Sequence, residues 1–439
     1  MICSFLFAVA LSTPFGEMTV RETEFPDRMF RLEESAGDFN AAITACARAG
    51  GGTVVVPAGT WTTGAIRLRS NVCLQLEAGA VVDFTDDPKD YPPVVSTWEG
   101  IECINHSPLI YAFGCTNVAI VGRGELRPRM KTWKAWAPRT EAQIAALGEL
   151  YHWGATNAPI KVRDVTRIEG ACLRPQLILF NRSSRILLDG IRIRESPFWT
   201  IHLYHSEDCI LRNLDVKAHG ANNDGVDVDM TRNVLIEDCR FDQGDDGICL
   251  KAGRNQDAWR LNRPTENVVI RNCHFVFANA VVALGSELSG GIRNVWAHDC
   301  EIEHPFAVVR FKTNRRRGGF VKNVWVERMK GGNGDSAAFF YETRYYYQWA
   351  RYPDYELRAT EVDGIHLKDI TLGCANWAVN MNASAGSVPK NITLENVHVG
   401  AVREGFTNLV NAAGVELKNV TIGDAKSIRF EVFPEANWH

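Results

Sequence analysis

A short phrase recurs through most of this 439-residue chain: Asn or Gly, an apolar alternation of three or four residues, then Asn, Asp or Gly. It reads NVCLQL at Asn71, NVAIVG at Asn117, RILLDGIRI at Arg185, NVLIEDCRF at Asn233, NVVIRNCHF at Asn267 and NVWAHDCEI at Asn294. It returns as NVWVERM at Asn323, GIHLKDITL at Gly364, NITLENVHV at Asn391 and GVELKNVTI at Gly414. The steps from Asn233 to Asn267, Asn294 and Asn323 are 34, 27 and 29 residues. Short strands returning at such a period, without helices between them, must stack on their neighbours to bury an apolar face. A propeller needs about four strands per repeat and a longer period, and a sandwich does not repeat its phrase. The pattern therefore predicts an all-β fold, a right-handed parallel β-helix. Its end must be covered. DFNAAITACAR (38–48) places Phe39, Ala42, Ile43 and Cys46 at helical spacing before a Gly stop, which predicts a short N-terminal capping helix.

Residues 23–439 are expected to form this one domain. Residues 1–22 open with MICSFLFAVA, the apolar centre of a weak or truncated signal segment, so a secreted or periplasmic protein is expected. No run of 18 apolar residues suggests a membrane span. A formal charge of −4 argues against a nucleic-acid-binding surface, leaving any anion to a local basic cluster. A monomer is expected. Among the 12 cysteines, Cys209, Cys239, Cys273 and Cys300 sit in similar phrases (SEDCIL, IEDCRF, RNCHF, HDCEI), which predicts small buried side chains stacked from turn to turn. No CxxC spacing suggests zinc. Disulfides elsewhere stay open.

Three islands carry the chemistry: NNDGVD (222–227), GDDGICLKAG (244–253) and RFKTNRRRGG (310–319). Asp224 and Asp245 are 21 residues apart, about one turn of such a coil, and so fall on neighbouring rungs. Rungs about 4.8 Å apart place carboxyl groups in a range of roughly 5–9 Å, which spans both retaining and inverting glycosidase geometries. Asp245 and Asp246 are adjacent, and Gly244 and Gly247 are expected to bend the chain so that both reach the surface. Crowded carboxylates repel, and one held protonated is a general acid. The alternative for such acids is turn capping or calcium; calcium around Asp224, Asp227 and Asp229 would make a polysaccharide lyase. Arg310 and Lys312 alternate around Phe311 and emerge on one face, suited to a carboxylated sugar. Two insertions rich in aromatic residues break the repeat. Residues 130–165 carry Trp133, Trp136, Tyr151 and Trp153; residues 339–355 carry Tyr341, Tyr345, Tyr346, Tyr347, Trp349 and Tyr352. Long loops in a regular repeat are commonly functional, and these are expected to close the cleft.

AGGGTVVVPAGTW, SNVCLQLEAGA, SPFWTIH (196–202), LGSELSGG (284–291) and the three islands, in this order and spacing, resemble glycoside hydrolase family 28, the polygalacturonase family. The resemblance implies hydrolysis of α-linked galacturonic acid in pectin by inversion, an acidic polysaccharide partner and no cofactor or metal. It implies Asp245 as general acid, Asp224 and Asp246 as activators of water, and Arg310 and Lys312 as holders of a substrate carboxylate. Tyr345, Lys251, Asn222 and His219 complete the expected substrate-binding set. One departure stands out: where the family carries a His in a GHG motif, this chain reads FANAVVALGSE, with Asn279 or Ala280 in that place. His219 and Glu287 are candidates to compensate. The departure keeps open a rhamnogalacturonan or branched-pectin hydrolase of the same family and a non-catalytic pectin-binding relative. The insertions suggest exo action on oligosaccharides.

Overall fold

A computed structural model describes residues 7–345 and 356–423. The chain winds as a right-handed coil whose strands form three parallel ladders. One ladder runs through Val72–Leu76, Thr116–Gly122, Ser184–Asp189, Glu207–Arg212, Arg232–Glu237 and Thr265–Arg271. A second runs through Ala80–Phe84, Glu125–Pro128, Arg192–Arg194, Asp215–Ala218 and Arg240–Gln243. The third, which carries the chemistry, runs through Ile110–Phe113, Ile178–Asn181, Ile201–Tyr204, Val226–Asp229 and Ile248–Lys251, then the ends of His274–Gly285 and Ile292–Lys312.

The phrase that opens each copy has a physical role. Asn71, Asn117, Asn233, Asn267, Asn294 and Asn323 all sit at φ between 56° and 61°, the left-handed region that Asn tolerates best after Gly. Their side chains also form a ladder: Asn267 donates to Asn233 at 3.1 Å, Asn294 to Asn267 at 3.0 Å and Asn323 to Asn294 at 3.1 Å. The same residue thus turns the chain and satisfies the turn above. Inside, Val118, Ile186, Cys209, Val234, Val268 and Val295 stack in one column of the core. The capping helix is Phe39–Arg48, with Asp38 accepting from the Ala41 N–H and Phe39, Ala42, Ile43 and Cys46 buried.

Four expectations need correction. Residues read as a signal segment form an antiparallel hairpin, Ala8–Thr13 with Gly16–Arg21. Leu11, Met18 and Val20 cover Ile210, Leu235 and Val269, an apolar column on the outer face of the coil that would otherwise meet water. Arg21 anchors the hairpin to Asp208 at 2.5 Å. Second, Cys239, Cys273 and Cys300 do stack, but Cys209 stands in another column, between Ile186 and Val234. The described cysteines are all free thiols. Third, Trp133 is core, edge-on to Tyr91 and Trp136, rather than a cleft wall. Fourth, Tyr341 is a strand residue stacked on Phe311 at 4.4 Å. Tyr346, Tyr347, Trp349 and Tyr352 lie outside the described residues.

Candidate active site

On the third ladder, Ile178, Ile201, Val226, Ile248, Val282 and Val309 pair in register and point inward, as do Phe180, Leu203, Val228 and Leu250. Alternation then forces the residues between them outward. His202, Asp227, Cys249, Ala283 and Arg310 form one outward column; Tyr204, Asp229 and Lys251 form another, which Gly285 and Lys312 continue. Asp224 and Asp246 stand just before their strands, in register, with the Gly225 N–H donating to the Asp246 carbonyl at 3.0 Å. Asp245 is one residue off this column and faces the next coil, where the Asn279 N–H meets its carbonyl at 2.9 Å.

Gly247 is required for closeness, not for a left-handed bend: a Cβ there would lie 2.5 Å from the Phe275 ring. Nor do both adjacent acids reach the surface. Asp245 is partly exposed, whereas Asp246 is fully buried. Burial is tolerable because the Lys312 ammonium lies 2.6 Å from Asp246 Oδ2. Asp246 Oδ1 has no hydrogen-bond partner.

The acids titrate apart. Burial alone would raise Asp246, but Lys312 and Arg310 pull it below the usual carboxylate range. Burial and the neighbouring Asp246 charge raise Asp245, against Lys312, Arg310 and the Asn279 amide. Burial and Asp245 push Asp224 up to about 8. Asp227, unexposed and beside Asp224, is raised well above its ordinary value by burial and then by that neighbour. Asp246 is thus biased toward its ionised form, and Asp224, Asp227 and Asp245 toward their protonated forms.

Each basic residue has a distinct position. Lys251 lies beneath the acids, 3.7 Å from Asp224, 3.5 Å from Asp227 and 3.2 Å from Glu287, with its ammonium 4.3 Å from the Trp199 ring centre. It is a buried counter-ion rather than a surface ligand. Asp224, Asp227 and Cys249 bring possible ligand atoms within 4.8 Å of one another, and the Lys251 ammonium lies beside both carboxylates. Asp229 is committed elsewhere, accepting from the Gly253 N–H at 2.8 Å and facing His202 at 3.4 Å. Arg310 rests against Phe306 and Tyr345, 4.9 and 5.9 Å from the ring centres, and Tyr345 also lies 5.6 Å from the Lys312 ammonium. Neither expected substitute for the family His reaches Asp245. His219 is exposed and bonds Asp242 at 2.6 Å, while Glu287 is held far below the usual range, against its burial, by Lys251, Arg254 and Arg317. Asn279 takes the place instead, its Nδ2 donating to Asp245 Oδ1 at 2.8 Å.

The insertion at 130–165 supplies a wall that the sequence reading left unresolved. Its helix Glu141–Thr156 packs Leu147, Leu150 and Tyr151 against Trp98, Ile101, Phe198 and Trp199. An ionic chain joins it to the floor: Arg139 to Glu99 at 2.8 Å, Glu99 to Arg254 at 3.1 Å, Arg254 to Glu287, and Glu287 to Lys251. Asn222 Oδ1 accepts from Arg174 Nη2 at 2.9 Å, which positions the loop carrying Asp224. Arg174, Glu99, Arg139 and Arg254 lie outside the three islands, and only their burial with charge distinguishes them.

A family model described as glycosyl hydrolases family 28 matches residues 157–429. A probable polygalacturonase of Vitis vinifera is 28% identical over 367 residues, 77% of this chain and 69% of that protein. An exo-poly-alpha-D-galacturonosidase of Dickeya chrysanthemi is 26% identical over 63% of this chain and 49% of its own length. The crystal structure of a hyperthermoactive exopolygalacturonase from Thermotoga maritima superposes with a TM-score of 0.85 at 30% identity, covering 92% of this chain and 94% of that one.

Proposed function

The chain belongs to glycosyl hydrolase family 28, and on that premise we propose that it is an inverting exo-hydrolase of α-linked galacturonic acid chains, with Asp245 as general acid. The observation that carries the reading is the split between adjacent carboxyls: Asp246 ionised against Lys312, Asp245 raised beside it. Asp245 gives its proton to the glycosidic oxygen as the C1–O bond breaks. Asp246, with its free Oδ1, takes a proton from the water that attacks C1 from the opposite face, and Asp224 orients that water. Arg310 holds the substrate carboxylate as a fixed guanidinium, and Tyr345 packs beside it. Lys312 acts through Asp246.

Exo action is supported by the wall at 130–165 on the N-terminal side of the acids and by the exo-acting relatives. A polymeric substrate places the work outside the cytoplasm, in the periplasm or secreted, which fractionation of the producing cells checks. The test of the reaction is product analysis on homogalacturonan, with Asp245→Asn as control. Saturated monomer released from chain ends, first appearing as the inverted anomer and absent in the variant, is the expected result. Random mid-chain cuts would remove exo action, an unsaturated product would remove hydrolysis, and a fully active variant would remove Asp245 as the acid.

A further inference from the structure

The ladder of asparagine side chains stops at one place. Asn233, Asn267 and Asn294 each accept on the side-chain oxygen from the amide of the next coil. At Asn323 the equivalent residue of the next coil is Gly364, because Val324 pairs with Ile365. Gly364 keeps the left-handed turn at φ 78° but supplies no amide. No hydrogen bond among the described residues reaches Asn323 Oδ1, and one coil farther on the Asn391 amide turns to Asp363 Oδ1 at 2.7 Å. Asn391 Oδ1 in turn meets a copy that opens on Gly414, again without a side chain. Where these two side chains are missing, a groove of about 570 Å³ opens, and its lining includes Asn323, Asp363, His366, Asn391 and Glu416. That size is usual for a ligand site. The lining is rich in hydrogen-bond acceptors and holds no Lys or Arg.

Aromatic rings stand beside these acceptors. Trp296, Trp325 and His366 are successive outward residues of the first ladder. The N-terminal hairpin covers this column as far as Trp325, where Phe15 lies 6.1 Å from the ring. The half-buried Trp325 ring then stacks on His366 at 5.7 Å, and His366 Nδ1 is bonded to Thr393 Oγ1 at 2.7 Å. Burial lowers His366, against Asp363 and Glu327, which favours a neutral ring. An apolar ring face beside fixed oxygens suits a pyranose, whose C–H face packs on the ring while its hydroxyls donate to the acceptors. Charge selects among sugars: Glu416 pairs with Lys418 at 2.9 Å, but Asp363 forms no ion pair among the described residues and repels a uronate. We propose that this groove binds a neutral saccharide, on a face of the coil separate from the acids of the third ladder. The site uses none of those acids and stands apart from the hydrolase reading. The coil then takes neutral sugar here and acid sugar at Arg310.

The test is calorimetric titration of the full chain, carrying Asp245→Asn to suppress turnover, with galactotriose, xylotriose and arabinotriose, and with spermidine as a cationic probe. At least one trisaccharide should bind with a millimolar Kd or tighter, and saturating digalacturonate should leave that affinity unchanged. Gly364→Asn restores the missing rung of the ladder. A Cβ there meets Asn323 N, His366 Nε2 and Asn323 Oδ1 at 3.5, 3.6 and 3.7 Å, which is ordinary contact, and Asn holds the left-handed turn in the neighbouring copies. The variant should keep the parent melting temperature and lose affinity by about 10-fold or more as the groove fills. Trp325→Ala should lose about 10-fold with the ring. Absence of trisaccharide binding, affinity unmoved by Gly364→Asn, or displacement by digalacturonate each overturns the proposal. Tighter binding of spermidine, abolished by the same variant, overturns the sugar as its ligand. Should either variant fail to fold, the other decides. Because binding is read without turnover, failure of the hydrolase reading leaves every one of these outcomes readable.

Discussion

Replacing Asn279 with Ala isolates the group that stands beside the acid. In the native site the Asn279 amide donates to Asp245 Oδ1 at 2.8 Å and the Asp246 N–H donates to the same oxygen at 3.0 Å. Both bonds favour the ionised carboxylate, so the amide lowers Asp245 against burial and the Asp246 charge. A hydrogen bond to a charged group is worth about 1.5–3 kcal/mol, which at about 1.4 kcal/mol per unit is roughly one to two pKa units. Removing the donor raises Asp245 further. A general acid works only while protonated, so the alkaline limb of the kcat/KM profile should move up by about one to two units, and the acid limb, set by Asp246, should stay near its place. Asn279 Oδ1 has no partner, so truncation leaves no other buried group unpaired and the fold should survive, which the melting temperature checks. The assay is the pH profile of kcat/KM on digalacturonate for the two proteins. An alkaline limb that stays fixed or moves down refutes either the bond or Asp245 as the acid.

Three further outcomes follow from the buried groups. Lys312→Met strands Asp246 without its counter-ion; near neutral pH it should cost about 3–5 kcal/mol in urea unfolding and abolish turnover. Because the native pair holds Asp246 below its unfolded value, that contribution is present above the unfolded pKa and lost as pH falls through the folded one, so the deficit should shrink in acid. Asp227→Asn should show the opposite sign: a raised folded pKa gives stability that is full below the unfolded value and lost as pH rises, so the variant should gain melting temperature over wild type on the alkaline side. Leu11→Asp places a carboxylate among Ile210, Leu235 and Val269 and should cost about 2–3 kcal/mol, with activity intact at low temperature where the coil stays folded.

The coil was legible because its rule is local and repeated. A left-handed Asn followed by alternating apolar residues specifies a turn, a strand and a face, and each copy checks the last. The hairpin at 8–21 was not legible, since an apolar N-terminal stretch reads alike whether it feeds an export machinery or covers a column of side chains. The telling signal was elsewhere: Leu187, Ile210, Leu235, Val269 and Trp296 are apolar at outward positions of one ladder, where His366 and Thr393 stand farther on. An apolar outer column demands a cover, and the first residues of the chain supply it. Cys209 was misplaced for a related reason, because similar phrases that differ by a few residues in register put the same residue type in different columns.

The site divides the same way. Asp224, Asp245, Asp246, Arg310 and Lys312 stand within four successive turns of one ladder, so repeat arithmetic alone brings them near one another. What arithmetic does not supply is who pairs with whom. From sequence, Lys312 and Arg310 are two equal cations on one face; in space, Lys312 is bound to Asp246 at 2.6 Å, whereas Arg310 rests on the Phe306 and Tyr345 rings with Asp246, Asp245 and Glu342 as its neighbouring acids. That difference changes their chemistry, since a lysine already paired to the base sets the base's protonation, while a guanidinium held on apolar surfaces keeps its charge for substrate.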